Sequence, residues 1–233
     1  MKKLKKVIRI IIELILLAII IFSLYMIIRW FIGSINNKKI TKEVNNEIKI
    51  EDVKDGKREV DFDYLKNINN DTVGYLIVNN TSINYPVVKT TDNNFYLTHS
   101  FDKSKNVGGW IFMDYRNTIN DRNVIIYGHN MKDGSMFGKL KLLKSENSGV
   151  ITYIENNIKY EYKVFSVYEI DEEDYYIKTT FSSDEDYSAF IRTIKDRSIY
   201  NYGLEPDINS KILTLSTCST SNRRLVVHAY RIN

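Results

Sequence analysis

The chain holds a single cysteine, Cys218, closing the strand-like run Leu213-Thr214-Leu215-Ser216-Thr217, and Arg224 follows six residues later. A thiol reacts as its thiolate, so a neighbouring fixed positive charge is the feature that would activate it. A cysteine nucleophile also works with a histidine that the fold brings near. Three histidines are available. His129 follows Asn-Val-Ile-Ile-Tyr-Gly and precedes the polar loop NMKDGSMFG, so it sits where a strand leaves its sheet, a place from which catalytic groups tend to project. His99 lies in the turn-like stretch YLTHSFD, and His228 lies inside the last apolar run.

Strand alternation sorts these positions further. Thr214, Ser216 and Cys218 share one face, with Leu213, Leu215 and Thr217 on the other, and Arg224, Val226, His228 and Tyr230 share a face of the last strand. His228 then lies about 13 Å along the strand from Arg224, at ~3.3 Å per residue. One centre cannot easily use both, so His228 reads as structural. Each position has a plainer reading: Cys218 as a small buried hydrophobe, the histidines as hydrogen-bonded structural residues, Arg224 as a solvated strand-end charge with Arg223 as its rival. From the residues alone, a Cys–His enzyme and an exported binding module with an inert thiol both stand.

The compartment decides how much the lone thiol weighs. Residues 10–28, IIIELILLAIIIFSLYMII, are apolar apart from Glu13, and about 20 such residues span a bilayer as a helix. Lys2, Lys3, Lys5, Lys6 and Arg9 precede the run and favour a cytoplasmic N-terminus, with Arg29 and Trp30 at the far interface. No small-x-small cleavage site follows, which argues for an uncleaved anchor over a signal peptide. Net charge is only +4 and its basic excess sits at the N-terminus, so no nucleic-acid surface is expected.

Residues 1–6 therefore read as a cytoplasmic basic tail and 7–29 as a single transmembrane anchor. Residues 30–70 read as a stalk with one or two amphipathic helices, and 71–233 as the main extracellular domain, a catalytic one if Cys218 is a nucleophile. From Val73 onward, eight β-branched and aromatic runs (GYLIV, INYPVV, GGWIFM, RNVIIYGH, GVITYIE, IKYEYKVFSVYEI, KILTLSTC, RRLVVHAYRI) are divided by turn chemistry. Eight strands suffice to close a small barrel. Ser182-Ser183-Asp184-Glu185 reads as a helix start, and Tyr187, Phe190, Ile191 and Ile194 share one helical face, so a helix interrupts the strands before the cysteine strand. Glu172, Glu173 and Asp174 lack the ligand spacing of a calcium site and read as a solvated loop. No metal or cofactor is expected.

The strand TLSTC, answered by an arginine that opens RLVVHAY, resembles the sortase signature. The segments VGYLIVNNTSINYPVV, DNNFYLTHSFD, GGWIFMDYRN and NVIIYGHNMKDGSMFGKL are similar in order and spacing to class B sortases over roughly residues 70–233. The resemblance implies a closed eight-stranded barrel with N-terminal helices and a helix inserted before the cysteine strand. It implies Cys218 as nucleophile, His129 as catalytic histidine and Arg224 as catalytic arginine, with no counterpart for Arg223. It also implies that Asn93, Leu97, Tyr176, Ile177 and Ser216 line the groove for a sorting signal. The activity implied is transpeptidation of surface proteins onto an amine of a peptidoglycan precursor, through a thioester. One departure is the short Cys-to-Arg loop, with Ser219 where other members carry an acidic residue. A hydrolytic cysteine protease with the same three residues is the alternative enzyme.

Overall fold

The computed structural model describes residues 2–47, 60–147, 149–171, 173, 175–218 and 223–233, with Lys2, Glu47 and Cys218 defined by their backbone. The apolar run forms one helix, α1 (Lys2–Glu47), which continues unbroken through the segment read as the start of the stalk. Its two parts differ in what they bury. From Leu4 to Ile32 the large apolar side chains are exposed, whereas Gly33, Ser34, Asn37, Ile40 and Val44 are buried. That second set recurs at i, i+3/i+4, i+7, one stripe of a helix lying on another surface. α2 (Phe62–Ile68) is short, capped by the Asp61 carboxylate accepting from the Tyr64 N–H at 2.8 Å, and buries Phe62 and Leu65.

The eight strand runs all form strands: β1 (Thr72–Val78), β2 (Asn84–Val88), β3 (Phe112–Met113), β4 (Asn123–His129), β5 (Val150–Glu155), β6 (Ile158–Asp171), β7 (Ile212–Cys218) and β8 (Arg223–Arg231). They close into a barrel in the order β1-β2-β3-β4-β7-β8-β6-β5. Inward residues such as Leu76, Val124, Ile126, Leu213, Leu215 and Val227 join one apolar core. α3 (Asp184–Asp196) is the helix inserted before β7. The Ser183 hydroxyl accepts from the Asp186 N–H at its start, and Tyr187, Phe190, Ile191 and Ile194 are buried, as the helical face predicts. They pack with Phe165 and Ile212 on the outside of the barrel.

β4 and β7 pair in parallel, His129 opposite Cys218, while β7 and β8 are antiparallel. A parallel pair needs a long crossover, and here β5, β6 and α3 supply it. The outcome is that β4 and β7 end at the same rim of the barrel.

Between α3 and the sheet lies a buried polar chain. Asn123 Nδ2 donates to the carbonyls of Tyr176 and Lys178 at 3.2 and 2.9 Å, which leaves its Oδ1 as acceptor for the Thr214 hydroxyl at 2.6 Å. Thr214 has one proton to give, so His228 Nδ1, 2.8 Å away, is the donor to it. His228 Nε2 therefore accepts from the Tyr168 hydroxyl at 2.9 Å. His228 is wholly buried and structural, with its pKa pushed down to about 3, chiefly by burial and then by the Arg197 charge.

A folded pKa below the unfolded value of about 6.5 means that the unfolded chain takes up the proton first. The stability supplied by the neutral imidazole is complete above that value and falls by about 1.4 kcal/mol per pH unit as acid is added, down to the folded pKa. Urea midpoints from pH 7 to 5 should therefore drop steeply for the native sequence and flatten in His228→Gln. Equal slopes would contradict the buried neutral histidine.

Candidate active site

The strand registers bring three of the expected residues into one row. His129, the last residue of β4, is the cross-strand partner of Cys218, the last residue of β7. On the other side of β7, Ser216 pairs with Val226. Two more residues along that antiparallel register set position 224 opposite 218. Neighbouring strands are about 4.8 Å apart, so the three backbones stand at successive strand spacings across the rim. Position 223 is one residue out of step and belongs to the other face.

The side chains of the two arginines follow this division. Arg224 is half-buried, with Nη1 3.5 Å from the Thr217 carbonyl. Arg223 is 63% exposed and lies 4.0 Å from Glu169 and 3.9 Å from Asp171. Thr217, on the face opposite Cys218, accepts the Leu225 N–H on its hydroxyl at 2.9 Å, tying the end of β7 to the start of β8.

His129 is half-buried, and its Nε2 lies 2.8 Å from the Leu97 carbonyl. A carbonyl only accepts, so Nε2 carries a proton in this arrangement and Nδ1 is the nitrogen left for proton exchange. Gly109 closes on the other side of the ring. With φ of +54°, it occupies a backbone region that favours glycine, and a Cβ there would stand 3.0 Å from His129 Cδ2 and 2.4 Å from the Tyr96 carbonyl. The imidazole thus rests between the short 3₁₀ turn Phe95–Leu97 and the glycine that opens GWIFM.

The expected groove residues fall on two walls. Leu97 and Asn93 belong to the Phe95–Leu97 side. Asn93 uses both ends of its amide internally, donating to Asp114 Oδ2 at 3.0 Å and accepting from the Tyr115 N–H at 3.0 Å. Tyr176 and Ile177 lie in the 3₁₀ turn Tyr175–Ile177. Tyr176 and Ser216 are both buried, with their hydroxyls 3.1 Å apart, while Ile177 is half-buried. Leu97 and Ile177, both half-buried, are therefore open to a ligand to a degree that Tyr176 and Ser216 are not.

One group joins the two walls, and the strand pattern gave no sign of it. The Asp114 carboxylate has no exposed surface and accepts five hydrogen bonds: from the Arg116 N–H, Nε and Nη2 at 3.0, 2.9 and 2.7 Å, from Tyr127 Oη at 2.9 Å, and from Asn93. Burial alone would raise its pKa, but the Arg116 bonds and charge with the Tyr127 bond outweigh it and hold the carboxyl below its usual range. Arg116 Nη2 also donates to the Ile177 carbonyl at 3.1 Å. The Asx-type spacing Asp-Tyr-Arg-Asn was the available signal, since Asp114 holds the N–H two residues on.

His99 stacks on Phe95, with centroids 4.0 Å apart, and its Nδ1 lies 2.8 Å from the Phe95 carbonyl, so it is structural. Of the acidic run, Glu173 pairs with Arg197, while Glu172 and Asp174 lie outside the described residues. The loop 219–222, including Ser219, lies outside them too. Among the described residues no group of His, Cys, Asp and Glu is arranged to hold a metal ion.

Known proteins resemble this chain in sequence and in fold. The sortase domain family profile matches residues 76–232, well over half of the chain. Sortase B of Listeria monocytogenes is 36% identical over 162 residues, 67% of this chain and 66% of that protein, just under two thirds of its length. The crystal structure of sortase B from Bacillus anthracis superimposes with a TM-score of 0.77 at 36% identity, covering 87% of this chain and 99% of that one. A Staphylococcus aureus sortase B–substrate complex does so with a TM-score of 0.73 at 32% identity, covering 86% and 96%. Sortases are cysteine transpeptidases, and this chain belongs to the sortase family, in its class B branch.

Proposed function

We propose that the protein is a membrane-anchored transpeptidase that cleaves a C-terminal sorting motif of surface proteins and joins the upstream part to an amine of the peptidoglycan precursor. The observation that carries this reading is the pairing of His129 with Cys218 at the ends of β4 and β7, beside which the β7–β8 register, extended by two residues, sets position 224. The Cys218 thiolate attacks the carbonyl carbon of a threonine in the motif, forming the S–C bond. As the C–N bond breaks, His129 as imidazolium gives its proton to the departing amine. Arg224 donates to the oxyanion or to the substrate backbone, work that suits a fixed charge with forked donors. The acceptor amine then loses a proton to His129, attacks the thioester and releases Cys218 as thiolate. Asn93, Leu97, Tyr176, Ile177 and Ser216 form the groove, with Leu97 and Ile177 as direct contacts and the buried members as its support.

The exposed apolar length of α1 supports a single membrane span, and the lysines before it support a cytoplasmic N-terminus with the barrel outside. A tether of this kind raises the effective concentration of the enzyme beside membrane-bound substrates without any new contact. The substrate complex of the Staphylococcus aureus relative supports a sorting peptide as the class of ligand.

The test incubates the full chain in detergent with a panel of sorting-motif peptides, with and without an added amine. Amide product is expected to displace free acid as the amine rises. Free acid alone, at an unchanged rate, would make the protein a hydrolase. In the same assay Arg224→Ala should lower kcat/KM by about 10²-fold or more, the cost of an oxyanion donor. Arg223→Ala should stay near the native value. The reverse order would transfer the role to Arg223.

A further inference from the structure

We propose that α1 is docked on the barrel immediately past its apolar run, so that the loop 103–108 rests among anionic lipid headgroups and the His129 rim is held at the bilayer surface. This rests on the reading of α1 as a membrane anchor and goes beyond it, because a tether alone leaves the barrel free to tumble.

The joint begins at Gly33, four residues after the Arg29 that closes the apolar run. Asn106 Nδ2 donates to the Gly33 carbonyl at 2.9 Å and to Asn37 Oδ1 at 2.7 Å. The Asn37 Nδ2 donates to the Gly109 carbonyl at 3.1 Å, and the Ser100 hydroxyl donates to Asn37 Oδ1. The helix lies so close that a Cβ on Gly33 would stand 2.6 Å from Asn106 Oδ1. Asn37 is 1% exposed and Asn106 3%. Two buried amides bonded to each other and to backbone on both sides are a specific joint, since each would leave unpaired polar atoms if pulled apart.

Distance along the helix sets the height. At 1.5 Å per residue, Gly33 is about 6 Å and Asn37 about 12 Å beyond Arg29, which marks the interface. The polar layer on each side of a bilayer is about 5–7 Å deep. The loop that meets Gly33, and whose Lys105 and Val107 line one cleft with Arg29 and Ile32, therefore reaches into that layer, while the Asn37 contact lies just beyond it. Its surface suits the place: Val107 is 44% exposed, and the cleft between the loop and α1 is lined by Arg29, Lys39 and Lys105 beside Ile32 and Ile35, with no acidic side chain. An apolar tip among cations is what an anionic headgroup layer attracts.

The same turn of α1 reaches the catalytic rim. Gly109, gripped by Asn37, packs against the His129 ring. Asp133, in the loop that follows His129, accepts from Ser34 at 2.5 Å and pairs with Lys38 at 3.2 Å. The site is thereby two contacts away from the membrane helix, at a fixed height and orientation for substrates that are themselves held in the bilayer.

The test uses the lone cysteine. Cys218→Ala removes the only thiol, and Val107→Cys or Ile20→Cys then carries one nitroxide in the full chain. Both positions are exposed, so labelling leaves the fold undisturbed. In vesicles of phosphatidylcholine with phosphatidylglycerol, power saturation should show the Ile20 label open to oxygen and closed to a water-soluble nickel chelate. The Val107 label should lose most of its nickel accessibility relative to the detergent-solubilised protein, and lose less in phosphatidylcholine alone. Adding Asn106→Ala with Gly33→Leu should return the Val107 label to water while Ile20 stays in lipid. A Val107 label that is water-exposed throughout, with Ile20 in lipid, overturns the joint and leaves the anchor standing. An Ile20 label open to nickel overturns the anchor and the joint together.

Discussion

The parallel pairing of β4 with β7 is the constraint on which the site depends. Parallel neighbours run their C-terminal ends to the same edge, so a histidine that closes β4 and a cysteine that closes β7 meet without any specialised loop. Had the pair been antiparallel, the two ends would lie at opposite rims. The antiparallel β8 then folds back along β7 and brings its first residues to that same edge. Three chain segments far apart in sequence thereby contribute adjacent backbone positions, fixed by ladder hydrogen bonds.

The ladder sets the backbone row, and a second set of interactions holds what surrounds it. Asp114 is a buried carboxylate that joins the Asn93 side of the rim to the Ile177 side through Arg116. Removing one member of such a cluster leaves an unpaired buried group, which makes it a strong determinant of geometry whatever its net contribution to stability. The chain from Tyr168 through His228 and Thr214 to Asn123 serves the Tyr176–Lys178 turn in the same way from beneath. The rim is thereby preorganised for the proposed substrate.

Much of this was legible from local pattern. The strand runs are bounded by turn residues, and Ser183 announces α3. The period of two put Thr214 and Ser216 on one face of β7 and Val226 and His228 on one face of β8, and the structure sets these pairs opposite each other. What could not be read was anything set by long-range pairing. That β4 lies against β7 depends on the closure of the whole barrel, which carries no local signature. Asp114 looks like a turn residue in Asp-Tyr-Arg-Asn, and its burial follows from Tyr127 and Asn93, which arrive from other elements. The continuity of α1 past residue 30 was hidden for a similar reason. Gly33, Ser34 and Asn37 look like a helix end, and they stay helical because Asn106 and Asp133 satisfy them from the barrel.

The account turns on Cys218 storing a cleaved peptide as a thioester beside His129. Intact mass spectrometry of the full chain, quenched in acid after mixing with a sorting-motif peptide, reads this directly. The expected result is a mass increment equal to the N-terminal peptide fragment, mapped by digestion to Cys218 and lost when an amine is added. Absence of any increment in a protein that turns the peptide over, or an increment that survives Cys218→Ala, would contradict it.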